Sequence, residues 1–189
     1  MKKLISIFSM TLALTFAGQI NAQNLVINGS FDSNIEAWDY NFNNANWVSD
    51  DGASISGNGS FRFGLIINNN AYRWAASEPI VVKPGYKYQT GMSAKLLTSS
   101  AANYLGAQVN WYDVADDLIS QDFILSNVEP VPRDVWEDMY LAVTAPPNSV
   151  YVNFVLTLSV GGAGSPDEAF ALWDDVFMLE DTLFITGFE

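Results

Sequence analysis

The stretch VYVNFVLTLS, residues 150–159, alternates between a uniformly apolar set of side chains and a mixed, mostly polar set. Because successive side chains of a β-strand point to opposite faces, this period of two predicts a strand with one apolar face. The predicted core face carries Val150, Val152, Phe154, Leu156 and Leu158, and the opposite face carries Tyr151, Asn153, Val155, Thr157 and Ser159. Such a strand is typical of an antiparallel sheet that covers a hydrophobic core on one side.

Short segments with similar patterning recur along the chain, separated by turn-forming residues such as Pro84-Gly85 and the glycine-rich stretch 161–164. The predicted strands are 25–28, 60–66, 72–75, 80–82, 88–96, 105–112, 118–124, 138–142, 150–160 and 170–179. No stretch carries a long helical period. Many short strands at this spacing predict an all-β fold, an antiparallel β-sandwich of the jelly-roll type.

The first 22 residues are predicted to be a secretory signal peptide. Lys2 and Lys3 precede an apolar segment at 4–18, and Ala22 offers a cleavage site. Residues 23–180 then form one domain, and 181–189 form a short tail that either docks on the domain or frays. No later apolar run is long enough to span a membrane. An exported chain without Cys favours a bacterial route, with the mature protein secreted to the cell exterior or the periplasm.

Charge and residue types restrict the function. The formal net charge is −13, and loss of Lys2 and Lys3 with the signal peptide would leave 6 basic against 21 acidic side chains, a net of −15. Such a surface repels phosphate backbones, which argues against nucleic acid as a partner, and it favours divalent cations. The chain has no His, no Cys and no Gly-x-Ser-x-Gly motif, so the usual catalytic bases and nucleophiles are missing. We therefore expect a protein that is not an enzyme.

Three predicted strands indicate which side chains point away from the core. In addition to Tyr151 and Asn153, they are Gln108, Asn110 and Tyr112 on 105–112, and Gln89, Ser93 and Lys95 on 88–96. An outer face rich in amides and tyrosines suits a neutral polyhydroxyl ligand, because amides hydrogen-bond to hydroxyls and aromatic rings cover the C–H face of a sugar. The pattern alone leaves open a face that is merely polar and solvated.

Six motifs follow one another along almost the whole domain. They are NLVINGSFDSNIEAW (24–38), SISGNGSFRF (54–63), IVVKPGYKYQTGMSAK (80–95), VNWYDVADDLIS (109–120), WEDMYLAVTAPPNSVYVNFVL (136–156) and GGAGSPDEAFALWDDVFML (161–179). In this order the motifs resemble those of carbohydrate-binding modules of the family 4/9/22 type, which share a galactose-binding-like jelly roll. The resemblance is specific for the fold superfamily and much less specific for a ligand.

The resemblance implies a structural calcium ion where the first and last strands meet. By the positions of the family motifs, Asp32 and Asp174 supply side-chain ligands, joined by the carbonyl of Ser30 and one near Ser60. Calcium binds six to eight oxygens, and two carboxylates suit it. Strand parity also places Asp174 with Leu172, toward the interior, where an unpaired charge is costly. Asp32 stands where the family more often has Glu, so its reach is one methylene shorter.

Four aromatic residues are the first candidates for sugar contacts. Tyr72 and Trp74 share one strand face in a position where family members often place aromatics that contact a sugar. Tyr112 and Tyr151 belong to the outer sheet face derived from strand parity. We therefore expect the ligand to lie across these rings and the amides of Gln108, Asn110 and Asn153.

The remaining aromatics divide between loop and core. Trp47 and Tyr40 lie in the Asn-rich stretch 40–52, where each would serve either as an exposed stacking platform for a ligand or as a staple for the loop. Trp38 either closes over the calcium junction, as the resemblance implies, or contacts the ligand. Trp111 and Trp136 are expected in the core by parity and by the resemblance.

The combined expectation is a secreted, non-catalytic module that binds a neutral polysaccharide or oligosaccharide on a concave sheet face, with one structural calcium. The alternative is a surface or adhesive protein that uses the same jelly roll to bind other proteins, since one fold supports many ligands. An apolar outer patch would favour the alternative, and a polar groove walled by Tyr and Trp would favour glycan binding. The oligomeric state is left open.

Overall fold

The computed structural model describes residues 23–40, 42, 44–53, 59–67, 71–98, 102, 104–125, 132–160 and 167–181. The predicted signal peptide and nearly all of the predicted tail lie outside these residues. The strands of the described part are β1 Trp38–Tyr40, β2 Asn46–Ser49, β3 Gly59–Ile67, β4 Ala71–Ser77, β5 Ile80–Val81, β6 Lys87–Leu96, β7 Tyr104–Tyr112, β8 Leu118–Leu125, β9 Trp136–Thr144, β10 Tyr151–Val160 and β11 Asp167–Glu180. Within the same residues, no helix is both long and apolar enough to cross a membrane.

The strands form two antiparallel sheets. The front sheet has the order β1-β4-β10-β7-β8, with β5 pairing β10, and the back sheet has the order β2-β3-β11-β6-β9. The two sheets bury their apolar faces against each other, as an aligned sandwich requires. The prediction of an all-β, antiparallel β-sandwich with a jelly-roll fold is confirmed.

The core consists mainly of the apolar faces that strand alternation predicts, but Val150, expected on the core face, is 38% exposed and precedes β10. Val152, Phe154, Leu156 and Leu158 of β10 are all buried. On the back sheet, the ring of Trp173 stacks on Phe63 with 3.9 Å between centroids. Trp111 is also buried, as expected, and its indole N–H donates to the Asp122 carboxylate at 2.7 Å. The hydrophobic effect and these aromatic contacts hold the two sheets together.

The N-terminal segment lies along the last strand without forming a strand itself, so the predicted strand at 25–28 is wrong. The Leu25 N–H donates to the Met178 carbonyl at 2.9 Å, and the Val176 N–H donates to the Gly29 carbonyl at 2.9 Å. A side-chain carbon on Gly29 would overlap the Val176 carbonyl. The glycine of the Asn-Gly motif is therefore needed for this close approach.

Two further expectations about the back sheet are wrong. Strand β6 belongs to the back sheet, so Gln89, Ser93 and Lys95 do not share a face with the amides of β7 and β10. Trp136 is half-buried on the outer side of that sheet, where the Lys95 ammonium lies 4.9 Å from its ring centroid. Sequence parity identifies the two faces of a strand, but it does not say which sheet the strand joins.

A β-bulge reverses the expected side-chain direction near the end of β11. The register with β6 shifts between Asp174 and Phe177, and Asp175 adopts a left-handed φ of 49°. An inserted residue shifts alternation by one position. Asp174 therefore points to the outer side of the back sheet, opposite to Trp173. It is still buried, at 1% exposure, because the segment 50–53 covers it.

Candidate functional site

A groove of about 750 Å³ lies on the outer face of the front sheet. It is lined by residues from β1, β4, β7 and β10 and from the segment between β4 and β5. The lining residues are Ala37, Trp38, Asp39, Tyr72, Trp74, Ala76, Ser77, Glu78, Pro79, Gln108, Asn110, Tyr112, Asn153 and Val155. Strand alternation brings most of these side chains to one surface, as predicted for β7 and β10.

The strand registers arrange this face in rows that run across the strands. They are Trp74-Thr157-Gly106-Leu125, Asp39-Ala76-Val155-Gln108-Phe123, Asn153-Asn110-Gln121, and Val81-Tyr151-Tyr112-Leu118. Directly opposed residues on neighbouring strands have side chains roughly 5 Å apart, so each row forms a continuous strip. The floor of the groove thus combines amide side chains with small and apolar residues, and aromatic rings lie at both ends.

The amides of the floor are held in place by hydrogen bonds. The Gln121 amide donates to Asn110 Oδ1 at 2.9 Å, and the Gln108 amide donates to the Tyr72 hydroxyl at 3.1 Å. The Asn153 amide donates to the Ser77 carbonyl at 2.8 Å. Each amide can form up to four hydrogen bonds, so fixed amides retain donors and acceptors for the hydroxyls of a ligand.

Aromatic rings stand at the two ends of the floor. Tyr72 is 43% exposed and Trp74 is half-buried at one end. At the other end, Tyr112 and Tyr151 stack in parallel, with 4.9 Å between ring centroids. Burial raises the pKa of the Tyr72 hydroxyl above its usual value, and the nearby Tyr104 adds to this. Tyr72 therefore remains a neutral hydroxyl at physiological pH.

One border of the groove is acidic. Asp39 and Glu78 line it on the β1 side, and both are exposed. Among the described residues that line the groove, none is Lys or Arg. Arg73 points away from its neighbours Tyr72 and Trp74 on β4, and Lys95 lies on the back sheet. Neither of these two cations lines the groove.

The structure does not bring Trp47 and Tyr40 into this groove. The Trp47 indole N–H donates to the Phe31 carbonyl at 2.7 Å, and the ring packs against the core. Tyr40 packs on Phe61 with 5.9 Å between ring centroids. Of the two roles considered for these residues, the contacts are those of a staple that holds the loop to the domain.

Sequence reasoning missed several residues of the face. Trp38 is buried against Phe31, as the resemblance implied, and it also lines the groove. Gln121 and Phe123 belong to the same rows, although only their register with β7 shows it. Alternation on β8 places Gln121 and Phe123 together on one side. The missing information was which side of β8 faces the groove.

The predicted metal residues lie on the N-terminal segment, β3 and β11, and backbone hydrogen bonds join the N-terminal segment to β11. Asp174 accepts hydrogen bonds from the Ala53 and Asp175 N–H groups, each at 2.7 Å. The Ser60 hydroxyl is buried and has no hydrogen-bond partner among the described residues. The β3–β11 register, which pairs Phe61 with Trp173, would place Ser60 opposite Asp174 if it continued by one residue.

The exposed Asp32 lies at the edge of this cluster. Its carboxylate accepts from the Ser30 hydroxyl at 2.9 Å. Burial raises the pKa of Asp175, and the charges of Asp138 and Asp32 raise it further, so negative charge accumulates here. The described residues contain no group of three or more His, Cys, Asp or Glu side chains that could hold a metal. An ion here would thus need carbonyl and hydroxyl oxygens beside two carboxylates, which is a donor set that calcium accepts.

No family model matches the sequence, and no curated protein matches it. Solved structures match well in fold. The CBM22-1 xylan-binding domain from Paenibacillus barcinonensis Xyn10C is 15% identical with a TM-score of 0.59, and the match covers 80% of this chain and 91% of that domain. TmCBM61, solved in complex with β-1,4-galactotriose, is 10% identical with a TM-score of 0.55, covering 85% and 100%.

Larger proteins contain the same fold as one part. The enzymatically active domain of bacteriophage CBA120 tailspike protein 4 is 19% identical with a TM-score of 0.64, and the match covers 83% of this chain. This chain spans only 21%, 26% and 29% of the length of the tailspike domain and two other large matches. The two neighbours of near-equal length described above are carbohydrate-binding modules. The chain has the β-sandwich fold of these modules, as the resemblance in its sequence predicted.

Proposed function

We propose that this chain is a secreted, non-catalytic module that binds a neutral glycan in the groove of the front sheet. One observation carries the proposal: fixed amides form the floor, with the exposed Tyr72 and the half-buried Trp74 at one end and the stacked Tyr112 and Tyr151 at the other. Rings cover the apolar C–H faces of sugars, and amides exchange hydrogen bonds with sugar hydroxyls.

The charge of the groove narrows the ligand class. Asp39 and Glu78 line one border, and the described lining residues include no Lys or Arg. A uronic-acid polymer would meet like charges there and would find no cation to neutralise it. Neutral polymers are therefore favoured. Xylan and β-1,4-galactotriose, which appear in the names of the structural neighbours, are the first ligands to test on this chain.

A structural calcium ion belongs to the proposal. Asp32 and Asp174 would supply carboxylate oxygens, with the Ser30 carbonyl and the region of Ser60 beside them. The buried Ser60 hydroxyl, which lacks a partner among the described residues, supports the fit. Bound calcium would neutralise the carboxylates and join the N-terminal segment to β11.

Affinity electrophoresis against soluble β-glucans, xylans, mannans and galactans tests the proposed function directly. Sugars exchange water hydrogen bonds for protein ones at a small net gain, so we expect a dissociation constant on the order of micromolar to millimolar. At least one polymer should retard the protein without being cleaved. No retardation on any of them would shift the proposal to the alternative, a surface protein that binds other proteins.

A further inference from the structure

Strand β8 exposes a row of apolar side chains at the edge of the front sheet. Phe123 is 49% exposed, Leu125 is 44% exposed, and Leu118 is similarly open to solvent. Strand β8 is the outermost strand of this sheet in the described part of the chain. Exposed apolar residues are unexpected here, because edge strands are usually protected by charges and this protein is strongly acidic.

These apolar residues are on the same face as the groove. Phe123 is in register with Gln108, and Leu125 is in register with Gly106. The one acidic residue of β8, Asp122, points to the other side, where it accepts from the Trp111 indole. The groove-facing side of β8 therefore carries apolar groups and a single amide, with no charge.

The polar floor continues onto β8 without a break. The Gln121 amide donates to Asn110 at 2.9 Å and approaches Gln108 at 3.4 Å. The row that starts at Asp39 and ends at Phe123 crosses five strands. Four spacings of roughly 4.8 Å between neighbouring strands make this row about 19 Å long. The groove lining itself ends at β7, so β8 lies beyond it as an extension of the same surface.

The two sides of this surface differ in chemistry. The β1 side is bordered by Asp39, Glu78 and Trp38, whereas the β8 side ends in the open ring of Phe123. A phenyl ring has no polar atom for a conventional hydrogen bond, so Phe123 contributes chiefly by covering an apolar surface. The face of a sugar ring that carries C–H groups is such a surface.

We propose that the glycan chain leaves the groove over β8 and that Phe123 provides a further sugar subsite there, with Leu125 beside it. This inference rests on the proposed glycan function. The site then binds more sugar units of the polymer than the groove alone can hold. Its affinity grows with chain length, and Phe123 determines the part of the affinity that the added units contribute.

The test uses the full chain and the β-1,4-galacto-, xylo- and gluco-oligosaccharide series of two to six units, measured by calorimetry. In the series that binds, Phe123→Ala should leave affinity for the shortest bound oligosaccharide within about twofold. It should weaken the longest by roughly three- to tenfold, the effect of one aromatic contact. Val114→Ala, in the turn after β7 at 87% exposure, is the matched control and should change neither value. The half-exposed ring should be removable with little change in melting temperature.

Three outcomes would overturn the inference. If Phe123→Ala binds every length as the wild type does, the extension is absent, although the groove function stands. If it weakens short and long oligosaccharides equally, Phe123 belongs to the groove itself. If the wild type is a dimer in sedimentation that Phe123→Ala converts to a monomer with unchanged glycan affinity, β8 is a protein contact. Failure of the wild type to bind any of these series, together with no retardation on any of the polymers named above, would instead overturn the proposed function together with the inference.

Discussion

The outer faces of the two sheets differ in how much of their surface is exposed to solvent. On the front sheet, Tyr72 and Gln121 are exposed, and Gln108, Tyr112, Tyr151 and Asn153 are half-buried, while Asn110 is 8% exposed. The back sheet covers part of its outer face, so that Leu172, Ser93 and Asp174 on that side are as buried as the core. The segment 50–53 contacts this face through the Ala53 N–H, which donates to Asp174, and through an ion pair between Lys95 and Asp51. Alternation produces both faces, and only the chain segments that pack on them decide which one is available to bind.

The largest expected effect on stability comes from removing the buried carboxylate of Asp174 on the outer face of the back sheet. Asp174→Ala removes the acceptor of two backbone N–H groups, each bond to a carboxylate contributing roughly 1.5–3 kcal/mol. We expect the free energy of unfolding to fall by about 3–5 kcal/mol in urea titrations with chelator present. Asp32→Ala, which removes an exposed carboxylate, is the control and should cost less than about 1 kcal/mol under the same conditions. A small loss for Asp174→Ala would mean that the carboxylate does not hold the segment 50–53 in place.

The next largest effect is stabilisation by calcium, which should depend on Asp174 of the back sheet and not on residues of the front sheet. At an ion concentration about a hundredfold above the dissociation constant, binding stabilises the folded state by roughly 2.7 kcal/mol. Calorimetric melting should therefore shift upward by several degrees between chelator and calcium. Asp174→Ala should abolish the shift, and Trp74→Ala on the front sheet should keep it. Identical melting curves with and without the ion, after chelator has been shown to strip it, would contradict the site.

Features of the two faces that depend on neighbouring residues could be predicted from the sequence, whereas features that depend on residues distant in sequence could not. The faces of β7 and β10 follow from local alternation, and Gln108, Asn110 and Asn153 lie where it places them. Strand β6 was assigned to the wrong sheet because sheet membership depends on partners distant in sequence. No glycine marks the bulge at Asp175 in the sequence. The predicted direction of the Asp174 side chain is therefore wrong, although its predicted burial is right.

The short strands show a second limit. Strands β1 and β2 have three and four residues, too few to show alternation, yet β1 brings Asp39 and Trp38 to the groove border. The contribution of Phe123 depends on its register with Gln108, which no local pattern contains. The family resemblance, rather than periodicity, indicated Tyr72 and Trp74, and the structure places both in the groove.

Removing an aromatic ring from the outer face of the front sheet should weaken glycan binding without lowering the stability of the fold. Trp74→Ala should weaken glycan affinity at least tenfold, about 1.4 kcal/mol, because a ring that covers a sugar is lost. Its melting temperature should change little, since the residue lies on an outer face. The matched control is Tyr140→Ala, which removes a 64% exposed ring from the back sheet and should leave affinity unchanged. Equal losses for the two variants in affinity electrophoresis would show that binding is not confined to the front sheet.

The smallest expected effect separates the ring of Tyr72 from its hydroxyl. Tyr72→Phe keeps the ring and removes the group that accepts from Gln108, so affinity at neutral pH should fall only about two- to fourfold, less than 1 kcal/mol. The raised pKa gives a second signature. Below about pH 10, Tyr72 is protonated in both the folded and the unfolded chain. Above that value the unfolded chain releases the proton first, so stability is lost as the pH rises toward the folded pKa. Urea titrations from pH 8 to 11 should show a weaker alkaline loss in Tyr72→Phe than in the wild type, and the same alkaline loss in both would mean that the Tyr72 hydroxyl is not desolvated by the front-sheet groove.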